Sequence, residues 1–132
     1  MQAFSEAIER SLTQQVKMVF PDSTNHYNTL FGGIALQWMD EVAFITATRF
    51  SRQAFVTVSS DKVDFKVAIP AGSIVELIGR VVLVGKTSLQ VEVQVWVEEM
   101  FSPKREKAIQ GRFSMVCIDS EKKPCMIQLE SN

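Results

Sequence analysis

The chain has 132 residues, 46% of them hydrophobic and 22% charged, with a net charge of −1. That length supports one domain over residues 1–132 with a real core, and the near-neutral charge argues against a nucleic-acid surface. The single histidine, His26, excludes a site built on several histidines. The two cysteines, Cys117 and Cys125, make no metal motif and fit a reduced cytoplasmic protein better than a disulfide scaffold.

Residues 3–11 give only a weak helical pattern, and Glu6 and Glu9 break any secretory apolar stretch. Residues 14–20 alternate, with Val16, Met18 and Phe20 on one side, and predict a first strand that Pro21 ends. Residues 22–28 are turn chemistry, and Asn25 and Asn28 both suit left-handed backbone. In a functional reading, the Asn25 amide instead meets a water or carbonyl at the mouth of the following helix.

Residues 33–50 contain no proline and no glycine after Gly33, and their apolar residues fall on every side. This predicts one long buried helix, too short and too polar for a membrane span. Gly32 and Gly33 either end a loop or leave the first helical N–H groups free to face an oxyanion or a phosphate. Asp40 has Leu36, Gln37, Ala43 and Phe44 as its helical neighbours. A carboxylate on that face loses hydration and can act as a general base or a nucleophile. In the plainer reading, Asp40 is solvated or paired with a lysine or arginine.

Four strands should follow. The first, residues 55–65, is expected to show Thr57, Ser59, Asp61, Val63 and Phe65 on one face. After the turn at Pro70-Ala71-Gly72 comes residues 74–84, apolar on both faces and therefore central. Gly85-Lys86-Thr87-Ser88 is a tight connection into residues 89–97, where Leu89, Val91, Val93, Val95 and Val97 should face in. Residues 100–107 read as a charged hairpin tip. The last strand, residues 108–118, alternates through Ile109, Gly111, Phe113, Met115 and Cys117. The class is α+β: one antiparallel sheet around one helix, with open edges that favour a second copy.

Four stretches come in a telling order: PDSTNHYNTLFGG (21–33), WMDE (38–41), VTVSSDKVDF (56–65) and VGKTS (84–88). Together they resemble the hot-dog-fold acyl-CoA thioesterases, most of all the acyl-CoA hydrolases that include the brain and brown-fat enzymes and their single-domain bacterial relatives. The resemblance covers roughly residues 12 to 118. It implies a curved sheet wrapped round the helix, subunits paired edge to edge, and active sites at the interface of a homodimer that often assembles into a hexamer. Asp40 takes the place of the catalytic aspartate, Asn25 completes the site from across the interface, and the Gly33 N–H polarises the thioester carbonyl.

The resemblance also places Gly85, Lys86, Thr87 and Ser88 along the coenzyme A. The acyl chain is expected along Phe31, Trp38, Met39 and Phe65. The implied substrate is acyl-CoA, with no metal, no separate cofactor, no nucleic acid and no membrane. Many relatives have glycine where this chain has Asn28, a change that asparagine tolerates. Two other readings share the fold: an acyl-CoA-binding module without turnover, and a hydrolase of another thioester such as acyl carrier protein. Hot-dog dehydratases use a histidine with an acid, and His26 lies in the loop, away from that pattern.

Overall fold

In the computed structural model, which describes residues 2–129, two α-helices and five strands follow one another. They are α1 (Gln2–Ser11), β1 (Thr13–Met18), α2 (Gly32–Ser51), β2 (Ala54–Phe65), β3 (Ile74–Val84), β4 (Ser88–Glu98) and β5 (Arg105–Ile118). The strands form one sheet in the order β1-β3-β4-β5-β2, and every neighbouring pair is antiparallel. A tight turn joins β3 to β4 and the longer loop 99–104 joins β4 to β5, so those hairpins are local. β2 reaches the far side of β5 and becomes one edge, while β1 is the other.

The core lies between α2 and the concave face of the sheet. Strand β4 buries Leu89, Val91, Val93, Val95 and Val97 in strict alternation, as the sequence pattern requires. Opposite it, β5 contributes Ile109, Phe113, Met115 and Cys117. Gly79 in β3 lets the helix come close: a Cβ there would lie 2.5 Å from Thr46 Oγ1 and 2.7 Å from Val42 Cγ1. Gly111 plays the same part under Val63, whose Cγ2 would be 2.9 Å away.

Three expectations change. The weak pattern at residues 3–11 is a full ten-residue helix, because Ala7 and Ser11 share a buried face and Phe4 packs its ring 6.2 Å from that of Phe50. Helix α2 is not buried all round within one chain. Ala35, Met39, Val42, Ala43, Thr46, Ala47 and Phe50 face the sheet, whereas Gln37, Glu41 and Phe44 form an exposed stripe. The sheet covers only one side of the helix, so the apolar residues of the other side await a different cover.

In β2 the simple alternation fails as well. The pairing with β5 shifts after Thr57 and again after Asp61, and Lys62 sits at φ 52° within the second irregularity. Pairs directly opposite in an antiparallel ladder share a face. Thr57 opposes Met115, Ser60 opposes Phe113 and Phe65 opposes Ile109, so Ser60, not Ser59, shares the face of Thr57 and Phe65, and Asp61 lies on the other face.

No described helix is long and apolar enough to cross a membrane.

Candidate active site

Helix α2 begins without a side-chain cap. Phe31 occupies the cap position, and its carbonyl accepts from the N–H groups of Ile34 and Ala35, both at 3.0 Å. The N–H groups of Gly32 and Gly33 are left without a partner among the described residues and face outward from an exposed helix start. Glycine keeps this end open, although a Cβ on Gly33 would meet the Phe31 ring at 3.0 Å. The result is a pair of bare donors backed by the positive end of a twenty-residue helix.

Asp40 lies two turns further on. Seven residues advance a helix by about 10 Å and return it to nearly the same face. Asp40 is half-buried, and its Oδ1 accepts a 2.6 Å hydrogen bond from the Thr57 hydroxyl of β2. Thr57 Oγ1 also lies 3.2 Å from Met115 Sδ. Its position is set before the first register shift of β2, where it opposes Met115. One carboxylate oxygen is therefore oriented by β2 and the other is free. Around it, Gln37, Asp40, Glu41, Phe44 and Ile45 line an open recess of about 360 Å³. Phe44 is 47% exposed in that recess.

Asn25 serves its own loop first. Its side-chain oxygen accepts from the N–H of Tyr27 at 2.9 Å, the N–H of Thr29 at 3.3 Å and the hydroxyl of Thr29 at 3.2 Å. This leaves the side-chain NH2 as a donor to whatever approaches the loop. The left-handed residue is Asn28 alone, at φ 61°; Asn25 is not in that conformation. No hydrogen bond joins Asn25 to Asp40 among the described residues. His26 stacks on Tyr27, with ring centroids 4.0 Å apart, at the exposed tip of the loop.

The residues expected along an acyl chain do not come together. Phe31 and Phe65 are 53% and 54% exposed near the helix start. There, Leu30, Ala35, Phe65, Val67, Ile69 and Ile109 line an apolar cavity of about 250 Å³. Met39 is wholly buried and belongs to the core, because its position on α2 faces the sheet at Gly111. Trp38 projects from the opposite flank of the helix to Asp40, two residues being about 160° apart round the axis. It packs beneath the ammonium of Lys17, which is 5.0 Å from the ring centre.

The Gly85–Ser88 turn closes on itself through the Gly85 N–H, which donates to the Ser88 carbonyl at 2.7 Å. Lys86 is exposed at its tip. Ser88 opposes Val116 of β5, whereas the cavity at the helix start touches Ile109. Those seven residues of strand put the turn roughly 23 Å from the helix start, measured along the sheet. Arg105, in the charged segment of residues 100–107, is committed to Glu76 and stacks 4.4 Å over the Trp96 ring.

Thr57 is the residue that sequence reasoning placed on a strand face and gave no role. Its signal was a threonine on the strand expected to cover the helix. Only the fold shows that it meets Asp40.

Residues 27–101 match the family model described as the thioesterase superfamily. The chain is similar to the uncharacterised acyl-CoA thioester hydrolase YkhA of Bacillus subtilis, with 38% identity over 116 residues, 88% of this chain and 67% of that protein. Its fold is similar to that of an apo hexameric acyl-CoA thioesterase, with a TM-score of 0.89 and 38% identity, covering 95% of this chain and 81% of the other. It is also similar to an acyl-CoA hydrolase from Staphylococcus aureus in complex with butyryl coenzyme A, coenzyme A and coenzyme A disulfide, with a TM-score of 0.87 and 33% identity, covering 95% and 78% of the two chains. Alanine variants of that hydrolase at an asparagine, an aspartate and a threonine have also been solved. Their positions are spaced fifteen and seventeen residues apart, the same spacing as Asn25, Asp40 and Thr57 here.

Proposed function

The chain belongs to the thioesterase superfamily, and on that footing we propose that it hydrolyses acyl-CoA to a carboxylic acid and coenzyme A, with Asp40 as the essential group. The observation that carries this reading is the Thr57–Asp40 hydrogen bond. It fixes the Asp40 carboxylate, with one oxygen left free, in an open recess on the uncovered face of α2.

The chemistry is acyl transfer to water. The free oxygen of Asp40 either takes a proton from a water or attacks the thioester carbon directly. In the first route, that water becomes the nucleophile. In the second, Asp40 forms a mixed anhydride as the C–S bond breaks and coenzyme A leaves as its thiolate; water then cleaves the anhydride to the carboxylic acid and free Asp40, and in both routes the thiolate takes up the proton that water gives up. The bare Gly33 N–H stabilises the charge that develops on the carbonyl oxygen, a contribution of about 3–4 kcal/mol for one such donor. Asn25 offers its side-chain NH2 to orient the water or the carbonyl. The Gly85–Ser88 turn, with Lys86, lies along the coenzyme A.

Geometry supports a site shared between two copies. A reacting carbonyl must sit about 3 Å from both the oxyanion donor and the base or nucleophile. Within one chain, Gly33 and Asp40 are about 10 Å apart along the helix, so they cannot serve the same carbonyl. A second copy related by a twofold axis lays an antiparallel α2 against the exposed stripe and brings its own Gly33 and Asn25 beside Asp40. The surface for this is present. The free edge of β2 is twelve residues long, with Val58 57% and Phe65 54% exposed, and it is continuous with Phe44 through Asp40 and Thr57. We assign the chain as a homodimer of this kind that assembles further into a hexamer, working in the cytoplasm.

The test is thiol release from a panel of short to long acyl-CoAs, comparing wild type with Asp40→Asn. Asparagine keeps the shape and the Thr57 hydrogen bond but removes the base. Release should fall by orders of magnitude while coenzyme A still binds. Undiminished release by the variant would remove Asp40 from the chemistry. Wild-type protein that binds acyl-CoA without releasing thiol would be a binding module instead.

A further inference from the structure

Two thiols outside this site are placed for chemistry of their own. Cys117 ends the buried run of β5, with its side chain wholly inside the core. Beyond it the chain turns back tightly: the Asp119 N–H donates to the Lys123 carbonyl at 2.8 Å, and Lys122 takes a left-handed φ of 64°. Ile118 and Pro124 then pair as an isolated bridge, and the Cys125 N–H donates to the Cys117 carbonyl at 2.9 Å. The two sulfurs face each other at 3.0 Å, and both are free thiols. Backbone pairing this close holds the Cα atoms about 4.5–5.5 Å apart, within the roughly 4.4–6.8 Å that a disulfide needs. Cys125 is partly exposed, so a reagent can reach the pair from one side.

The segment beyond Cys125 gives the pair a purpose. The Ile127 N–H donates to the Lys86 carbonyl at 2.8 Å, and the Cys117 N–H donates to the Thr87 carbonyl at the same distance. Gln53, at the start of β2, grips the same segment twice, donating to the Met126 carbonyl and accepting from the Gln128 N–H, both at 3.0 Å. The Gly85–Ser88 turn is thus braced by β5 on one side and by the segment 125–128 on the other. Beyond the partial packing of Cys125, Ile127 and Leu129 against the core, the segment is held by these few hydrogen bonds near the surface, the kind that open locally.

We propose that Cys117 and Cys125 are a dithiol–disulfide couple whose oxidation ties the segment 119–129 to the end of β5 and so fixes the Gly85–Ser88 turn. The oxidant is a low-molecular-weight disulfide, with oxidised glutathione as the probe. The partly exposed Cys125, as thiolate, attacks one glutathione sulfur; a mixed disulfide forms and one reduced glutathione leaves. Cys117 then loses its proton and attacks the Cys125 sulfur, releasing the second reduced glutathione. The protein gives up two electrons and two protons, and the probe takes both. Cys117 is the second attacker because burial, and then the adjacent Cys125, pushes its thiol up to about 12. The bond, once closed, is shielded by the core on the Cys117 side. Its consequence for coenzyme A rests on the role assigned to the turn above, but its formation and the clamping of the segment do not.

The experiment treats the whole protein, under native conditions, with oxidised glutathione and reads intact mass and amide hydrogen exchange. The expected result is a loss of about 2 Da with two fewer titratable thiols. Exchange at the Ile127 amide should slow by about tenfold, because its local opening then starts from a covalently anchored Cys125 two residues away. Cys125→Ser should show neither the mass loss nor the slowed exchange. Persistent addition of one glutathione, or two thiols still free, would overturn the couple. A closed disulfide with unchanged exchange at Ile127 would overturn the clamp. An oxidant response that survives Cys125→Ser would overturn both.

Discussion

Strands β4 and β2 are eleven and twelve residues long, and both pair antiparallel to β5. β4 has neighbours on both sides and buries every second residue without a break; its pairing shifts once against β3 and once against β5, but the extra residues, Val82 and Ala108, belong to the neighbours. β2 has one neighbour, shifts register twice, and buries only Phe55. The difference is one of constraint. A strand paired on both edges and packed under a helix has a single workable register, since a slip of one residue would expose its apolar set. In β2 the extra residues of both irregularities lie on the edge strand itself, and a bulge re-aims side chains. Thr57 and the partner-facing surface belong to the second kind of strand. The fold is held by β4; the chemistry is aimed by β2.

Substitutions can separate the two roles. The largest stability effect should come from β4: Leu89→Ala removes a side chain that is only 2% exposed and should cost about 2–5 kcal/mol. A denaturant titration should show the loss, with kcat unchanged well below the transition. On β2 the balance should reverse. Thr57→Val removes the hydroxyl that orients Asp40, at a position exposed in the single chain, so the lower end of a charge-assisted hydrogen bond applies. Turnover should fall roughly tenfold, worth about 1.5 kcal/mol, with the unfolding midpoint nearly unmoved. A large stability loss with full activity would invert the assignment.

An effect confined to alkaline pH concerns the place where β5 serves both neighbours. The Cys117 thiol is neutral in the fold and its value is raised from 9.0 to about 12 by burial and by Cys125. The unfolded chain ionises first as pH rises, so the stability this thiol contributes is complete below pH 9 and is lost between about 9 and 12. The slope is about 1.4 kcal/mol per pH unit over that window. The difference between wild type and Cys117→Ala against pH isolates it from the other alkaline titrations. A flat difference across the window would show that the thiol is not held neutral.

Much of this architecture was legible in the residues. The alternation of residues 89–97, the glycine start of the long helix and the apolar run at residues 74–84 each have one physical solution, and the structure adopts it. Other features were not legible because they arise between elements. The resemblance puts Met39 and Trp38 along the acyl chain, but their angles round α2 put one under the sheet and the other beneath Lys17. The two irregularities of β2 leave no glycine or proline to mark them. The exposed stripe of α2 looked like core because the sequence records that a residue is apolar, not which chain covers it. Thr57 was hidden for the same reason: its meaning lies in a contact seventeen residues away.

The central claim is that one chain holds only part of a site. The most direct measurement mixes Asn25→Ala with Asp40→Asn, allows subunit exchange, and follows thiol release from acyl-CoA. In a mixed pair with shared sites, one site carries both changes and the other carries neither. Activity should then rise well above that of either variant alone, toward about a quarter of wild type for random exchange in a twofold dimer. If exchange is demonstrated and activity stays at the level of the two variants, Asn25 and Asp40 act from the same chain, and the shared site is wrong.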